Sequence, residues 1–114
     1  MRTTLTPKNL AILYDMACKL PPFNTFKMPK SSKVTFKVIR NPEIYGAFDE
    51  HEMIIEISRN SCGHFNTIFA TLLHEMLHLA LYVRGDDDFH LHAKKFQKLH
   101  AIYAEVYSLD PKAI

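Results

Sequence analysis

Two cysteines, three glycines and the lack of any long uninterrupted apolar run set the first limits on this 114-residue chain. Cys18 and Cys62 are too few for a disulfide framework or a four-cysteine zinc ribbon, and both read as small inert hydrophobes. Three glycines beside six prolines leave no room for a flexible linker or a low-complexity segment. The most apolar stretch, residues 68–83, is interrupted by His74, Glu75 and His78. It also falls short of the ~20 residues that a bilayer span needs. Residues 1–7 lack the apolar core of a secretory signal. With 47% hydrophobic and 23% charged residues, what remains is one ordinary globular domain, residues 1–114. It is expected to be soluble and cytoplasmic, in a reducing compartment, with no membrane partner.

The net charge of +2 argues for no partner, but its distribution is uneven. Residues 1–40 carry eight Lys or Arg against Asp15 alone, while residues 41–114 carry six basic and eleven acidic side chains. Lys27, Lys30, Lys33, Lys37 and Arg40 are therefore candidates for a DNA-backbone groove, set against the plainer reading of a solvated basic face. A groove of that kind would release its partner steeply with salt.

Thr6-Pro7 is a helix start, a hydroxyl cap followed by proline at the first helical position. Leu10, Leu13, Tyr14, Ala17 and Leu20 then recur at helical spacing, so residues 7–19 are expected as an amphipathic helix that Pro21-Pro22 ends. Residues 23–32 read as a basic loop. Strands are expected at 34–39, 44–48 and 53–58, with the polar Asp49-Glu50-His51-Glu52 as a hairpin turn. Three short strands in succession suggest an antiparallel meander. Residues 66–83 are apolar almost all round, the pattern of a helix buried mid-domain, with Gly85 placed to end it. Asp86-Asp87-Asp88 reads as a solvated loop, and an amphipathic helix is expected from 89 to 109. The fold class is α+β.

The buried helix carries His74-Glu75-Met76-Leu77-His78, a His-Glu-x-x-His motif that this composition yields by chance only roughly 0.02 times per chain. Residues four apart stand one turn above each other, so both imidazoles reach one ion from one face. Glu75 projects beside that face, where it meets water at the ion rather than the ion itself. Two imidazoles and a carboxyl in an otherwise apolar helix are costly unless something partners them.

Catalytic zinc takes a third protein ligand and keeps one position open. Leu81 and Arg84 stand where a metzincin would have Gly and His, so that class is closed. Glu105, His90, His92 and His100 remain, with an aspartate from Asp86-Asp87-Asp88 as a further known kind of ligand. At ~100° per residue from His92, the apolar stripe of Phe96, Leu99, Tyr103, Val106 and Tyr107 falls within about 60° of it. His90 and Glu105 face the other way and His100 lies on the border. The expected third ligand is His92, carried by the last helix.

From His74 to Phe96, with His92-Ala93-Lys94-Lys95-Phe96 as the third-ligand segment, the chain resembles the SprT-like (Spartan-type) metallopeptidase domain. There the third histidine opens a His-Gly-x-x-Phe motif; here Ala93 replaces the glycine. Tyr45-Gly46-Ala47-Phe48 and Met53-Ile54-Ile55-Glu56-Ile57-Ser58 are similar too, so that the likeness spans residues 5–107. It implies a minigluzincin-like fold, one Zn²⁺ on His74, His78 and His92, and intracellular proteolysis, often of proteins bound or crosslinked to DNA. The family's C-terminal zinc ribbon has no counterpart, because no CxxC occurs.

The expected function is zinc-dependent endopeptidase. The ion lowers the pKa of a water from about 15.7 towards ~7, and Glu75 acts as general base. Tyr82, His100 and Tyr103 are candidates for stabilising the oxyanion, and the strand at 53–58 for holding an extended protein or peptide substrate by strand addition. The alternatives are a non-proteolytic zinc-binding interaction module, or a metal-dependent hydrolase of another substrate.

Overall fold

A computed structural model describes residues 5–60 and 65–107. The first helix, α1 (Pro7–Ala17), begins as its sequence dictates. Thr6 caps it, its hydroxyl oxygen accepting the Asn9 N–H at 3.1 Å, and the helix buries Leu10, Tyr14 and Ala17. Two single-turn 3-10 helices follow, Phe23–Thr25 and Ser31–Lys33. Tyr14 ties this stretch down by donating its hydroxyl to the Pro29 carbonyl at 2.6 Å.

Strands β1 (Thr35–Ile39), β2 (Gly46–Asp49) and β3 (Ile54–Ser58) form a mixed sheet in the order β1-β3-β2. The expected antiparallel meander is thus corrected: β3 pairs parallel to β1, Phe36 opposite Ile55, and antiparallel to β2, Phe48 opposite Ile55. The physical reason lies in β3 itself. Ile54, Ile55, Ile57 and Ser58 are all buried, and a strand hidden on both faces belongs at the centre of a sheet. The chain reaches that order by crossing the end of β3. Ser58 fastens the crossing, donating its hydroxyl to the Asn41 carbonyl at 2.6 Å while its backbone N–H donates to the Tyr45 carbonyl at 2.8 Å.

Helix α2 (Phe65–Arg84) packs on β2 and β3 and is flanked by α1 and α3 (Lys94–Val106). Leu72, Leu73, Met76, Leu77 and Leu79 are fully buried along it. Their burial contributes roughly 1.5–3 kcal/mol each to seating this helix in the core. Gly85, with φ of +91°, ends α2 as expected, and the Asp86 N–H donates back to the Leu81 carbonyl at 3.0 Å.

Two further expectations are revised. The last helix starts at Lys94, not at 89, because residues 86–93 fold into turns in which the Phe89 N–H reaches the Asp86 carbonyl and the Leu91 N–H the Asp88 carbonyl. Its buried face is Phe96, His100, Tyr103 and Ala104, so Val106 is exposed and His100 sits inside the stripe rather than on its border. Cys62 and the expected helical residues 108 and 109 lie outside the described residues.

Candidate metal centre

His74 and His78 stand one turn apart on α2, held there by the most deeply buried part of the core, with ring centroids 5.0 Å apart. His92 meets them from the loop that joins α2 to α3. It is not on α3, contrary to the expectation from helical spacing, and it arrives by way of the loop. Its Nε2 nevertheless lies 3.2 Å from the Nε2 of His74. One ligand atom from each of His74, His78 and His92 falls within 4.8 Å of the others, and these three residues can hold a metal ion.

Several observations test whether the residues suit such an ion. At zinc–nitrogen distances of 2.0–2.1 Å, two ligands of a tetrahedral site stand about 3.3 Å apart, and the His74–His92 pair is already at that spacing. The Nδ1 of His78 lies 2.7 Å from the Phe89 carbonyl. A carbonyl can only accept, so Nδ1 carries the proton and Nε2 keeps its lone pair for the ion. Burial, with the neighbouring histidines second, pulls His74 down to about 3, and burial likewise lowers His78. Both rings are therefore neutral, the form that binds metal. Beneath all three lies Phe96, its centroid 5.0, 4.8 and 4.7 Å from those of His74, His78 and His92. That apolar floor keeps water from the back of the cluster.

Glu75 is buried next to His74 on α2. Among the described residues no cation or hydrogen-bond donor pairs with its carboxyl, and burial alone raises it to about 8. It lines a cleft of about 150 Å³ together with His78, Phe48, Glu50, Phe89 and His90. The cleft residues other than Glu75 and His78 carry no periodic signal. Glu50 lies in a turn and Phe89 and His90 in the 86–93 loop, so only the assembled fold brings them to the site. Gly46 does bear a signal, the absence of a side chain. A Cβ there would meet the Glu56 carbonyl oxygen at 2.7 Å, Thr71 Cγ2 at 2.9 Å and Glu75 Cγ at 3.4 Å, so glycine is what lets β2 lie against α2 beside Glu75.

The three oxyanion candidates are dispersed. Tyr82 is half-exposed and packs on Phe48 and Phe89, at the aromatic wall of the cleft. His100 is buried behind Phe96, 6.2 Å from its ring and 5.0 Å from that of Tyr103. Tyr103 is fully buried, and its hydroxyl has no partner among the described residues. Burial and, second, the nearby Glu75 make that hydroxyl less acidic than usual.

Lys27, Lys30, Lys33, Lys37 and Arg40 are all exposed, but they lie on the loop, 3-10 turn and strand at the β1 edge, with β3 between them and β2. Asp86-Asp87-Asp88 is not simply a solvated loop. Arg84 and then Lys95 hold the Asp86 carboxyl well below the usual carboxylate range, and Asp86 and Asp88 both pair with Lys95. The expectation that the strand at 53–58 takes substrate by strand addition is also overturned, since β3 is paired along both edges. Among the described residues β1 and β2 are the edge strands, and of the two it is β2 that carries Phe48 into the cleft beside Glu75.

Compared with known proteins, the chain matches no family model, and no curated protein or solved structure matches it either. No described helix is long and apolar enough to cross a membrane.

Proposed function

We propose that the chain is a zinc-dependent endopeptidase built on a minigluzincin-like domain of the SprT-like kind. His74, His78 and His92 hold one Zn²⁺ and Glu75 is the general base. The observation that carries this reading is the meeting of three imidazole nitrogens within 4.8 Å beside a buried, unpaired carboxyl that opens on a cleft. A structural zinc site closes its fourth position and has no use for such a carboxyl.

Bound there, the ion supplies Lewis acidity and makes a water easier to deprotonate. The carboxyl of Glu75 accepts the water's proton and passes it to the departing amine nitrogen. Burial alone would keep that carboxyl protonated, and the charge of a nearby cation offsets the burial by favouring the ionised form, which is the form that can take a proton. The outer edge of β2 offers main-chain donors and acceptors to an extended peptide, and Phe48 and Phe89 wall the space into which a side chain would project. Intracellular, DNA-associated protein as the substrate rests on the resemblance. The exposed lysines at the β1 edge supply charge for a DNA backbone away from the cleft.

The test is Glu75→Gln assayed beside wild type for zinc content and for cleavage of an unfolded protein substrate. Retained zinc with cleavage reduced at least 100-fold supports the peptidase. Undiminished cleavage would transfer the reading to another base, and a wild type that binds zinc but cleaves nothing supports the interaction module.

A further inference from the structure

The 86–93 loop contributes to the centre twice. It carries His92, whose Nε2 lies 3.2 Å from that of His74, and it carries the Phe89 carbonyl that accepts from His78 Nδ1 at 2.7 Å. A ligand on a loop is only as well placed as the loop is, and residues 86–93 form no helix or strand that would fix them. Besides its own turns and the packing of Phe89 on Phe48 and Tyr82, the loop has a cluster of charges at its base. Arg84, in the last turn of α2, grips Asp86 with two bonds, Nε to Oδ1 at 3.0 Å and Nη2 to Oδ2 at 2.7 Å. Its guanidinium is itself seated over the Phe26 ring, 5.2 Å from the centroid. Lys95, in the first turn of α3, reaches the same Asp86 Oδ2 at 3.0 Å and Asp88 Oδ1 at 3.1 Å. The Asp86 side chain is only 11% exposed, while Arg84 and Lys95 are 45% and 51% exposed, so the carboxylate sits sheltered beneath two cations.

We propose that Asp86 is a positioning residue for the metal centre, stapling the end of α2 to the start of α3 so that the intervening loop presents His92 and the Phe89 carbonyl in binding geometry. Ion pairs whose cations remain half-exposed add little to global stability, so the staple's effect falls on where the loop sits rather than on whether the domain folds. Freezing the loop before the ion arrives removes an ordering cost from binding, and an unstapled loop pays it on each encounter. The inference rests on the reading of His74, His78 and His92 as ligands.

The experiment measures zinc affinity of the full chain by competition with a chelator, for wild type, Asp86→Asn, Lys95→Met, the double variant and Lys95→Arg, each with its metal-free thermal midpoint. The expected result is an affinity loss of about ten-fold for Asp86→Asn and for Lys95→Met, as found when groups supporting metal ligands are removed. The double variant should lose little more than either alone, because both changes cut the same link. Lys95→Arg, which keeps the cation, should recover most of the affinity, and the metal-free midpoints should stay close to wild type. If Asp86→Asn does not fold, Lys95→Met, a change at a half-exposed side chain, carries the test. Wild-type affinity in Lys95→Met, or losses that simply add in the double variant, would overturn the staple while leaving the metal centre intact. A wild-type chain that binds no zinc would overturn the centre and the staple together.

Discussion

Glu75 makes the metal-free protein sensitive to pH in a direction opposite to that of its histidines. In the folded chain its carboxyl keeps a proton up to about 8, against an ordinary value of 4.5. Between those values the native state holds more protons at this site than the unfolded chain does, so stability falls as pH rises through the window. Below 4.5 and above 8 the contribution is flat. At about 1.36 kcal/mol per pH unit, the whole interval amounts to about 3–5 kcal/mol. For a domain whose total stability is typically about 5–15 kcal/mol, that is a large fraction. His74 works the other way. Burial takes it from 6.5 to about 3, so its contribution grows as pH rises between those two values. The two effects overlap and partly cancel in wild type.

Glu75→Gln separates them. Glutamine has nearly the same shape and no titratable proton, so the histidine contributions drop out of the difference between the two proteins. Urea unfolding in the presence of a chelator, at intervals from pH 4.5 to 8.5, should show the variant gaining on wild type by about 3–5 kcal/mol across the range. With zinc present the gain should shrink, since the cation stabilises the Glu75 carboxylate that glutamine cannot supply. A difference that stays constant between pH 5 and 8 without metal would refute the reasoning. It would mean that the carboxyl is solvated, or already paired, and is not the proton-holding group beside the three histidines.

Three other changes probe separate parts of the site. His92→Ala should leave the fold intact, because the ring is exposed, yet strip most of the zinc that elemental analysis finds in wild type after dialysis. Gly46→Ala should cost about 1–3 kcal/mol in urea unfolding and lower cleavage as well, since the new Cβ stands 2.7 Å from the Glu56 carbonyl oxygen and 3.4 Å from Glu75 Cγ; a neutral result would mean that β2 does not lie this close to α2. Tyr103→Phe removes a buried hydroxyl that has no partner among the described residues, and should stabilise the metal-free protein by about 1 kcal/mol.

Features set by a few consecutive residues were legible in the sequence. The Thr6 cap, the Gly85 stop, the buried helix and the pairing of His74 with His78 each follow from local spacing, and the structure places them as that spacing requires. The sheet order was not legible, because strand pairing is settled between distant segments. Only the burial of β3 on both faces, which depends on where α2 lies, makes it the central strand. His92 is the instructive case. Helical spacing points to it, yet the helix begins two residues later, and the ring meets His74 from a segment that follows the turns at 86–91. Phe96 explains why residue and outcome still agree. As a true member of the buried stripe of α3 it docks against His74 and His78, and so brings the segment just before it, with His92, within reach. The periodicity therefore locates the docking point of the helix, and His92 sits four residues upstream of it, at a distance that the loop alone determines. The same logic accounts for Asp86. Its acid neighbours make it look like solvent-facing charge, and only the meeting of two helix ends, bringing Arg84 and Lys95 to one carboxylate, gives it a structural task.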